Sequence, residues 1–354
     1  MDEETGERQG HSAVLCGLGI CLPHREVGNE DVGARLGVSD DWIAQRSGIR
    51  RRRVTAPGIS TGDLATEAGR RALEAASVTQ VQAVVLATTT PDHIIPGSAP
   101  SVAARLGLDG TAAFDLNSGC SGFIYGLAVA HGLISAGVAD HVLLIGADTM
   151  TQVADPDDPQ TTPLFGDGAG AVVLRPGTPG ESGAFGPFDL GSDGARSSVA
   201  RIPAGGSRSR ADRHAEPDKA PFLTMAGREL FRHAVHHMVA SSRRAAERAG
   251  WAVTEIDAIA PHQANQRISV DVTRRLGVPE NRMLSNIADV GNTAAASIPL
   301  VLHHAVSTRA LTPGMRVLLT SFGAGLAWAS TTLVWPDVPV PGPAPEPAPP
   351  HPAG

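Results

Sequence analysis

A chain of 354 residues, 42% hydrophobic and 18% charged, has enough apolar material for one large core or two joined halves. Its net charge of -7 and aromatic content of 4% argue against a general nucleic-acid binder, which needs basic surface and stacking side chains. No apolar run approaches the roughly 20 residues needed to cross a bilayer, and the acidic start MDEETGERQG lacks the basic-then-apolar order of a secretory signal, so a cytoplasmic protein without membrane attachment is expected.

In chain order, Ala13–Leu22, Val81–Thr89, Ala112–Leu116, His141–Ala147 and Ala169–Leu174 are short, often β-branched and bounded by turn residues, which predicts strands. Thr61–Ala76 and Gly122–Ala136 run past ordinary strand length and predict helices. A second set follows, with a helix over Met225–Ala249, a strand over Ile256–Ala260, a helix beginning near Asn265 and a closing pair at Arg316–Ser321 and Leu326–Trp335. The alternation predicts a layered α/β core of two related halves, residues 11–176 and 177–335. The second half opens with a Pro/Gly-rich excursion over residues 177–213 that is expected to stay outside the regular core. Residues 336–354, rich in proline and alanine, are expected to form a disordered tail of polyproline-II character, with an interaction tail as the alternative.

Lys219 is the only lysine; arginine carries the remaining fixed positive charge, which suits planar phosphate contacts and is equally explained by genome composition. Cys16, Cys21 and Cys120 form no CxxC unit, as expected of a reducing compartment. Cys120 stands in Asp115-Leu116-Asn117-Ser118-Gly119-Cys120-Ser121-Gly122-Phe123, where a strand turns through Gly119 into a helix. Unpaired N–H groups and the dipole at a helix N-terminus favour thiolate, so Cys120 is the candidate nucleophile; for an isolated cysteine a small buried hydrophobe is the alternative. Cys16 and Cys21 lack this setting and are expected to pack inside.

His262 lies in Ala260-Pro261-His262-Gln263-Ala264-Asn265, and Asn292 in Val290-Gly291-Asn292-Thr293-Ala294-Ala295-Ala296-Ser297, both ahead of helical segments. Either alone is explained as a cap; together with Cys120 they form a nucleophile with two polar partners. The run Gly166-Asp167-Gly168-Ala169-Gly170 lacks the context of a dinucleotide fingerprint, and no spacing of histidines and acids specifies a metal.

Further motifs accompany these: Trp42-Ile43, Arg46-Ser47-Gly48-Ile49-Arg50, Leu164-Phe165-Gly166-Asp167-Gly168-Ala169-Gly170-Ala171 and Ser321-Phe322-Gly323-Ala324-Gly325-Leu326. From Val14 to Trp335 the chain resembles the beta-ketoacyl-acyl-carrier-protein synthase III family of the thiolase-like superfamily. The resemblance implies a five-layer αβαβα fold of two pseudo-duplicated halves, with two mixed five-stranded sheets, assembled as a homodimer. It also implies a decarboxylative condensation without a permanent cofactor. Cys120 takes an acyl group from acyl-CoA; a malonyl group on the phosphopantetheine of an acyl carrier protein loses CO2; His262 and Asn292 hydrogen-bond the enolate oxygen; and the new carbanion attacks the acyl-cysteine.

By the same resemblance, the backbone N–H groups of Cys120 and Gly325 form an oxyanion hole, and Trp42 and Arg46 hold the nucleotide end of CoA. Arg267 meets the approaching carrier, and Ile95 borders the primer pocket near the dimer contact. Surface packing and solubility are the plainer roles for Trp42, Arg46 and Arg267. The cluster Arg50–Arg53 is a further candidate for guiding an acidic carrier. Ordinary fatty-acid initiation and a specialised polyketide or lipopeptide start both fit, and the proline-rich tail leans toward a specialised carrier system. Cysteine-dependent acyl transfer to an alcohol or amine is the alternative chemistry, against which Asn292 counts as a second enolate donor; a non-enzymatic carrier-binding protein is the third reading.

Overall fold

The computed structural model describes residues 12–211 and 221–342; the acidic start, Lys219 and the tail beyond residue 342 lie outside the described residues. Strand β1 (Ser12–Cys21) leads into a hairpin of β2 (Arg25–Gly28) and β3 (Arg51–Val54) that encloses helices α1 (Asn29–Leu36) and α2 (Asp40–Ser47). Next come α3 (Thr61–Ala76), β4 (Ala83–Ala87), α4 (Ala99–Arg105), β5 (Ala112–Leu116), α5 (Gly122–Ser135), β6 (Val142–Thr149) and β7 (Asp167–Gly177). The chain continues with β8 (Asp189–Ser192), β9 (Ala200–Arg201), α6 (Ser207–Ala211), β10 (Thr224–Met225) and α7 (Gly227–Arg248). It ends with β11 (Ala258–Pro261), α8 (Gln266–Leu276), α9 (Ile287–Val290), α10 (Ser297–Ser307), β12 (Arg316–Gly323) and β13 (Ala327–Val334).

The two main sheets repeat one topology. The first has the order β1-β7-β6-β4-β5, the second β8-β13-β12-β11. In each, the first strand pairs antiparallel with the last, the last antiparallel with its other neighbour, and the remaining strands toward the far edge pair parallel. Beyond β11 a single parallel bridge joins Met283 to Ile259, in the place that β5 fills in the first sheet. The second sheet is therefore four-stranded with a one-residue fifth position, where the resemblance implied five strands. The turn Glu280–Arg282 before Met283 and helix α9 soon after it leave too little extended chain for a longer ladder. β8 lies inside the Pro/Gly-rich excursion and nonetheless joins the core sheet: Phe185 ahead of it is buried in the central cluster, and four residues of β8 pair with β13.

Period-2 alternation distributes strand side chains to both faces of each sheet. In β6, Val142 and Leu144 join α5 and α10 in the central cluster, while Leu143 and Ile145 join α3 and α4 on the outer face. In β12, Val317 and Leu319 face the same centre, while Leu318 and Phe322 pack with α7 and α8. The layers are thus α3/α4, first sheet, α5/α10, second sheet and α7/α8. The boundaries of α3 have a local cause: Ser60 and Asp63 form a capping box, and Ser77 closes the helix in the left-handed conformation. Glycine permits α3 to lie close on the sheet, since a Cβ at Gly19 would stand 2.4 Å from Ala72 N.

Residues 336–342 carry no regular structure, yet they pack on the body. Val338 and Val340 rest against the central cluster, His303 Nε2 donates to the Pro341 carbonyl at 2.8 Å, and Arg71 donates to the Gly342 carbonyl. This part of the expected disordered tail is held by apolar contact and two hydrogen bonds.

Candidate active site

The Cys120 turn ends β5 and starts α5. Gly119 has φ 57°, a left-handed conformation that glycine adopts without strain, and a Cβ there would stand 2.8 Å from Ala324 N and O. A Cβ on Gly323 would stand 2.5 Å from Cys120 N. The turn and the β12–β13 hairpin therefore touch backbone to backbone, and Ser121 Oγ adds a hydrogen bond to the Ala327 carbonyl at 3.0 Å. Gly325 lies at the tip of this hairpin. Cys16 is half-buried, its thiol donating to the Val173 carbonyl at 3.3 Å, and Cys21 is buried in β1.

At Cys120, burial works against the thiolate that its helix position favours. Burial pushes its thiol up to about 12, the nearby Asp148 carboxylate pushes in the same direction, and its own backbone N–H only partly opposes them. Asp148 is fully buried; burial also pushes its carboxyl above the ordinary range, against the bonds donated by Thr89 N and Ala295 N. Those bonds, at 2.7 and 2.9 Å, tie the end of β4 to the turn that follows Asn292.

His262 follows β11 and is 2% exposed. Its Nδ1 lies 2.6 Å from Ser297 Oγ at the start of α10, and its buried Nε2 has no hydrogen-bond partner. Burial draws its pKa down to about 3, so the ring is neutral near pH 7. Asn292 Oδ1 accepts from Ala294 N at 2.9 Å, which leaves the amide NH2 as the end available to a ligand. Its backbone is clamped on both sides, with Asn292 N donating to the Leu164 carbonyl at 2.8 Å and Gly166 N donating to the Asn292 carbonyl at 3.1 Å.

These segments converge. Cys120 packs in one small apolar cluster with Leu164, Phe165 and Ala294. Asn292 is bound to Leu164, Gly166 and Ala294, and His262 is bound to Ser297 in the same loop-to-helix segment. Ser297 and Asp148 were not singled out by motif, because their partners are remote in the chain.

Leu164 also lines a cavity of about 770 Å³ together with Trp42, Arg46, Pro163, Phe231 and Arg267. The Arg46 guanidinium sits 4.1 Å from the Trp42 ring centroid, and the Arg267 guanidinium 5.8 Å from that of Phe231. The two residues expected at the CoA end and the one expected at the carrier face thus share one mouth; Phe231 and Arg228 of α7 complete it and carry no sequence signal. Ile95 behaves differently. Within one chain it is 86% exposed beside Ile94 at 65%, and it lines neither the 770 Å³ cavity nor the one of about 750 Å³ beside Thr90 and His93. In the Arg50–Arg53 cluster, Arg51 pairs with Glu26 and Asp289, Arg53 pairs with Glu26, Arg52 is buried, and Arg50 is exposed. Among the described residues no group of three or more His, Cys, Asp or Glu side chains is placed to hold a metal ion, and no helix is long and apolar enough to cross a membrane.

Residues 114–194 match the family described as 3-oxoacyl-[acyl-carrier-protein] synthase III, and residues 246–335 match its C-terminal counterpart. A beta-ketoacyl-[acyl-carrier-protein] synthase III of Streptomyces coelicolor is 49% identical over 330 residues, covering 92% of this chain and 98% of that protein. The crystal structure of 3-oxoacyl-(acyl carrier protein) synthase III from Pseudomonas aeruginosa superposes with a TM-score of 0.87 at 46% identity, over 93% of this chain and 99% of that one. The priming beta-ketosynthase of the R1128 polyketide pathway superposes with the same TM-score at 35% identity, over 94% of this chain and 98% of that one. With this breadth of similarity and the repeated five-layer topology, the chain belongs to the 3-oxoacyl-[acyl-carrier-protein] synthase III family of condensing enzymes, in the thiolase-like fold.

Proposed function

We propose that this enzyme loads an acyl group from acyl-CoA onto Cys120 and condenses it with malonyl-acyl carrier protein, releasing CO2 and a beta-ketoacyl-carrier. Loading is neutral in protons: the bond from sulfur to the acyl carbon forms, the bond from that carbon to CoA breaks, and the thiol proton ends on the departing CoA sulfur. The backbone N–H groups of Cys120 and Gly325 are assigned to the oxyanion of the tetrahedral intermediate. In the second step the malonyl carboxylate leaves as CO2, and its electron pair becomes the enolate. The enolate carbon attacks the acyl-cysteine, the Cys120 sulfur leaves, and it regains a proton from solvent.

The observation that carries this reading is the pair of donors left by the site's own hydrogen bonds. We assign the 2.6 Å bond to the Ser297 hydroxyl donating to Nδ1, which puts the hydrogen of the neutral His262 ring on the unpartnered Nε2. Asn292, its Oδ1 occupied, offers only its NH2. Two neutral donors suit a negative charge that exists only after decarboxylation, and they favour that state over the neutral thioester. We assign Trp42 and Arg46 to the nucleotide end of CoA and Arg267 to the carrier. The enzyme works as a cytoplasmic homodimer in which the second copy covers Ile94 and Ile95, bringing Ile95 to the border of the primer pocket.

The test is Asn292→Ala, preloaded on Cys120 and mixed with malonyl-carrier in a single turnover. Acyl loading should persist, while CO2 release and beta-ketoacyl-carrier formation should fall by about two to three decades, the scale for one lost oxyanion-hole donor. Unchanged rates for both products in folded, fully loaded protein would sink the assignment. Acylation of an alcohol or amine without decarboxylation would replace it by simple acyl transfer.

A further inference from the structure

Arg52 is 1% exposed, and all three acceptors of its guanidinium are neutral. Nη1 donates to the Val27 carbonyl at 3.2 Å, and Nη2 donates to Asn29 Oδ1 and to the Pro163 carbonyl, each at 2.8 Å. Taking a cation out of water without a carboxylate bonded to it is costly, and burial draws this guanidinium down to about 10, with the Asp40 carboxylate beyond Asn29 opposing the shift only in part. Replacing Arg52 with an apolar residue of similar volume would spare that cost, so the position of the fork calls for an explanation.

The stem and the head of Arg52 meet different parts of the site. A Cβ built on either Gly166 or Gly291 would stand 3.2 Å from Arg52 Cβ, so the stem fills the crossing of the two loops that carry those glycines. At that crossing the Asn292 backbone is clamped by Leu164 and Gly166. The head holds Pro163, which lines the 770 Å³ cavity, and also Asn29, whose Nδ2 donates to Asp40 Oδ1 and to the Ile49 carbonyl, both at 2.7 Å. Asp40 is the first residue of α2, which bears Trp42 and Arg46.

We propose that Arg52 is a positioning residue that joins the cavity wall and helix α2 to the Asn292 turn, holding the Asn292 amide in register with a thioester entering between Trp42 and Arg267. It touches no substrate and acts through Asn292, so the proposal rests on reading Asn292 as an enolate donor. A lysine would keep the charge, but its single ammonium cannot span three oxygens as the planar fork does.

The experiment measures loading and malonyl turnover separately in Arg52→Lys, Arg52→Met, Asn292→Ala and the Arg52→Lys/Asn292→Ala double variant, each checked for folding by circular dichroism. Arg52→Lys should leave loading within about threefold while slowing the malonyl step by about ten- to a hundredfold, the scale of a misplacement near 1 Å. In the Asn292→Ala background the same substitution should slow that step by less than about threefold, because residues acting in one unit are non-additive. Fully additive losses, equal losses in both half-reactions, or an unchanged malonyl step in both Arg52 variants would overturn the proposal. If neither Arg52 variant folds, Asn29→Ala, which removes one acceptor, takes its place with the same expected split and the same non-additivity. An unimpaired malonyl step in Asn292→Ala itself would instead refute the enolate-donor reading, whatever Arg52 does.

Discussion

The Ser297–His262 hydrogen bond gives the sharpest perturbation. Both groups are buried and lie 2.6 Å apart, and the ring is held neutral with its pKa drawn down to about 3. Ser297→Ala therefore creates no stray charge; it leaves Nδ1 as a buried acceptor without a donor, at a cost of roughly 1–3 kcal/mol in stability. It also removes the preference for hydrogen on Nε2 and loosens the ring. If about 1.4 kcal/mol of this is felt in the transition state, the malonyl step slows about tenfold. Loading of Cys120 should change much less, because no enolate forms there. The assay is single-turnover CO2 release from preloaded enzyme, with ¹⁵N spectra of histidine-labelled protein reporting the tautomer. A ring with its hydrogen on Nδ1 in the unaltered protein, or an unchanged malonyl rate in folded Ser297→Ala, would refute the reasoning.

Three further expectations are independent of it. Because the Cys120 thiol stands up to about 12, alkylation of the free enzyme by iodoacetamide should accelerate about tenfold per pH unit from 7 to 9, and a plateau by pH 8 would show a thiolate that burial does not suppress. Acid stability should carry a His262 component: the folded pKa of about 3 lies below the reference 6.5, so in that window the unfolded chain binds the proton and the folded one does not. This contribution is complete above the reference value and is lost as pH falls, at about 1.4 kcal/mol per unit; urea titrations of a His262→Gln variant should give a correspondingly flatter curve, and parallel curves would contradict the assignment. Arg46→Ala removes a cation 4.1 Å from the Trp42 ring centroid and should raise KM for acyl-CoA about three- to tenfold without slowing preloaded enzyme, an outcome that initial-rate kinetics separates from a fall in kcat.

How much of this was legible in the sequence depended on whether the cause was local. Helix α3 spans Thr61–Ala76 as expected because its capping box and small apolar face lie within one stretch of chain. β5 likewise matches its apolar run. β7 extends through Asp167–Gly177, beyond the expected Ala169–Leu174, because pairing with β1 and β6 holds glycines that carry little strand preference of their own. β8 has no such run and becomes a strand through β13. At the site, Cys120, His262 and Asn292 stood out by motif. The partners of His262 and Asn292, the Asp148 carboxyl near Cys120 and the burial that pushes the Cys120 thiol up are properties of packing between remote segments. Arg52 looked like one arginine among four, and only its enclosure by Gly166 and Gly291 separates it from its neighbours.

The contact between the Cys120 turn and the β12–β13 hairpin also orders events during synthesis. A ribosome delivers the chain from its N-terminus, and early segments can collapse while later ones are still being made. The first sheet and α5 are complete in sequence well before Gly323 emerges, yet the surface against which the nucleophile's backbone rests comes from one of the last described elements. The thiol therefore reaches its final setting only after the β12–β13 hairpin has emerged. A nascent chain stopped before Gly323 would carry Cys120 without the hairpin that packs against it, a species distinguishable from the full chain by faster alkylation.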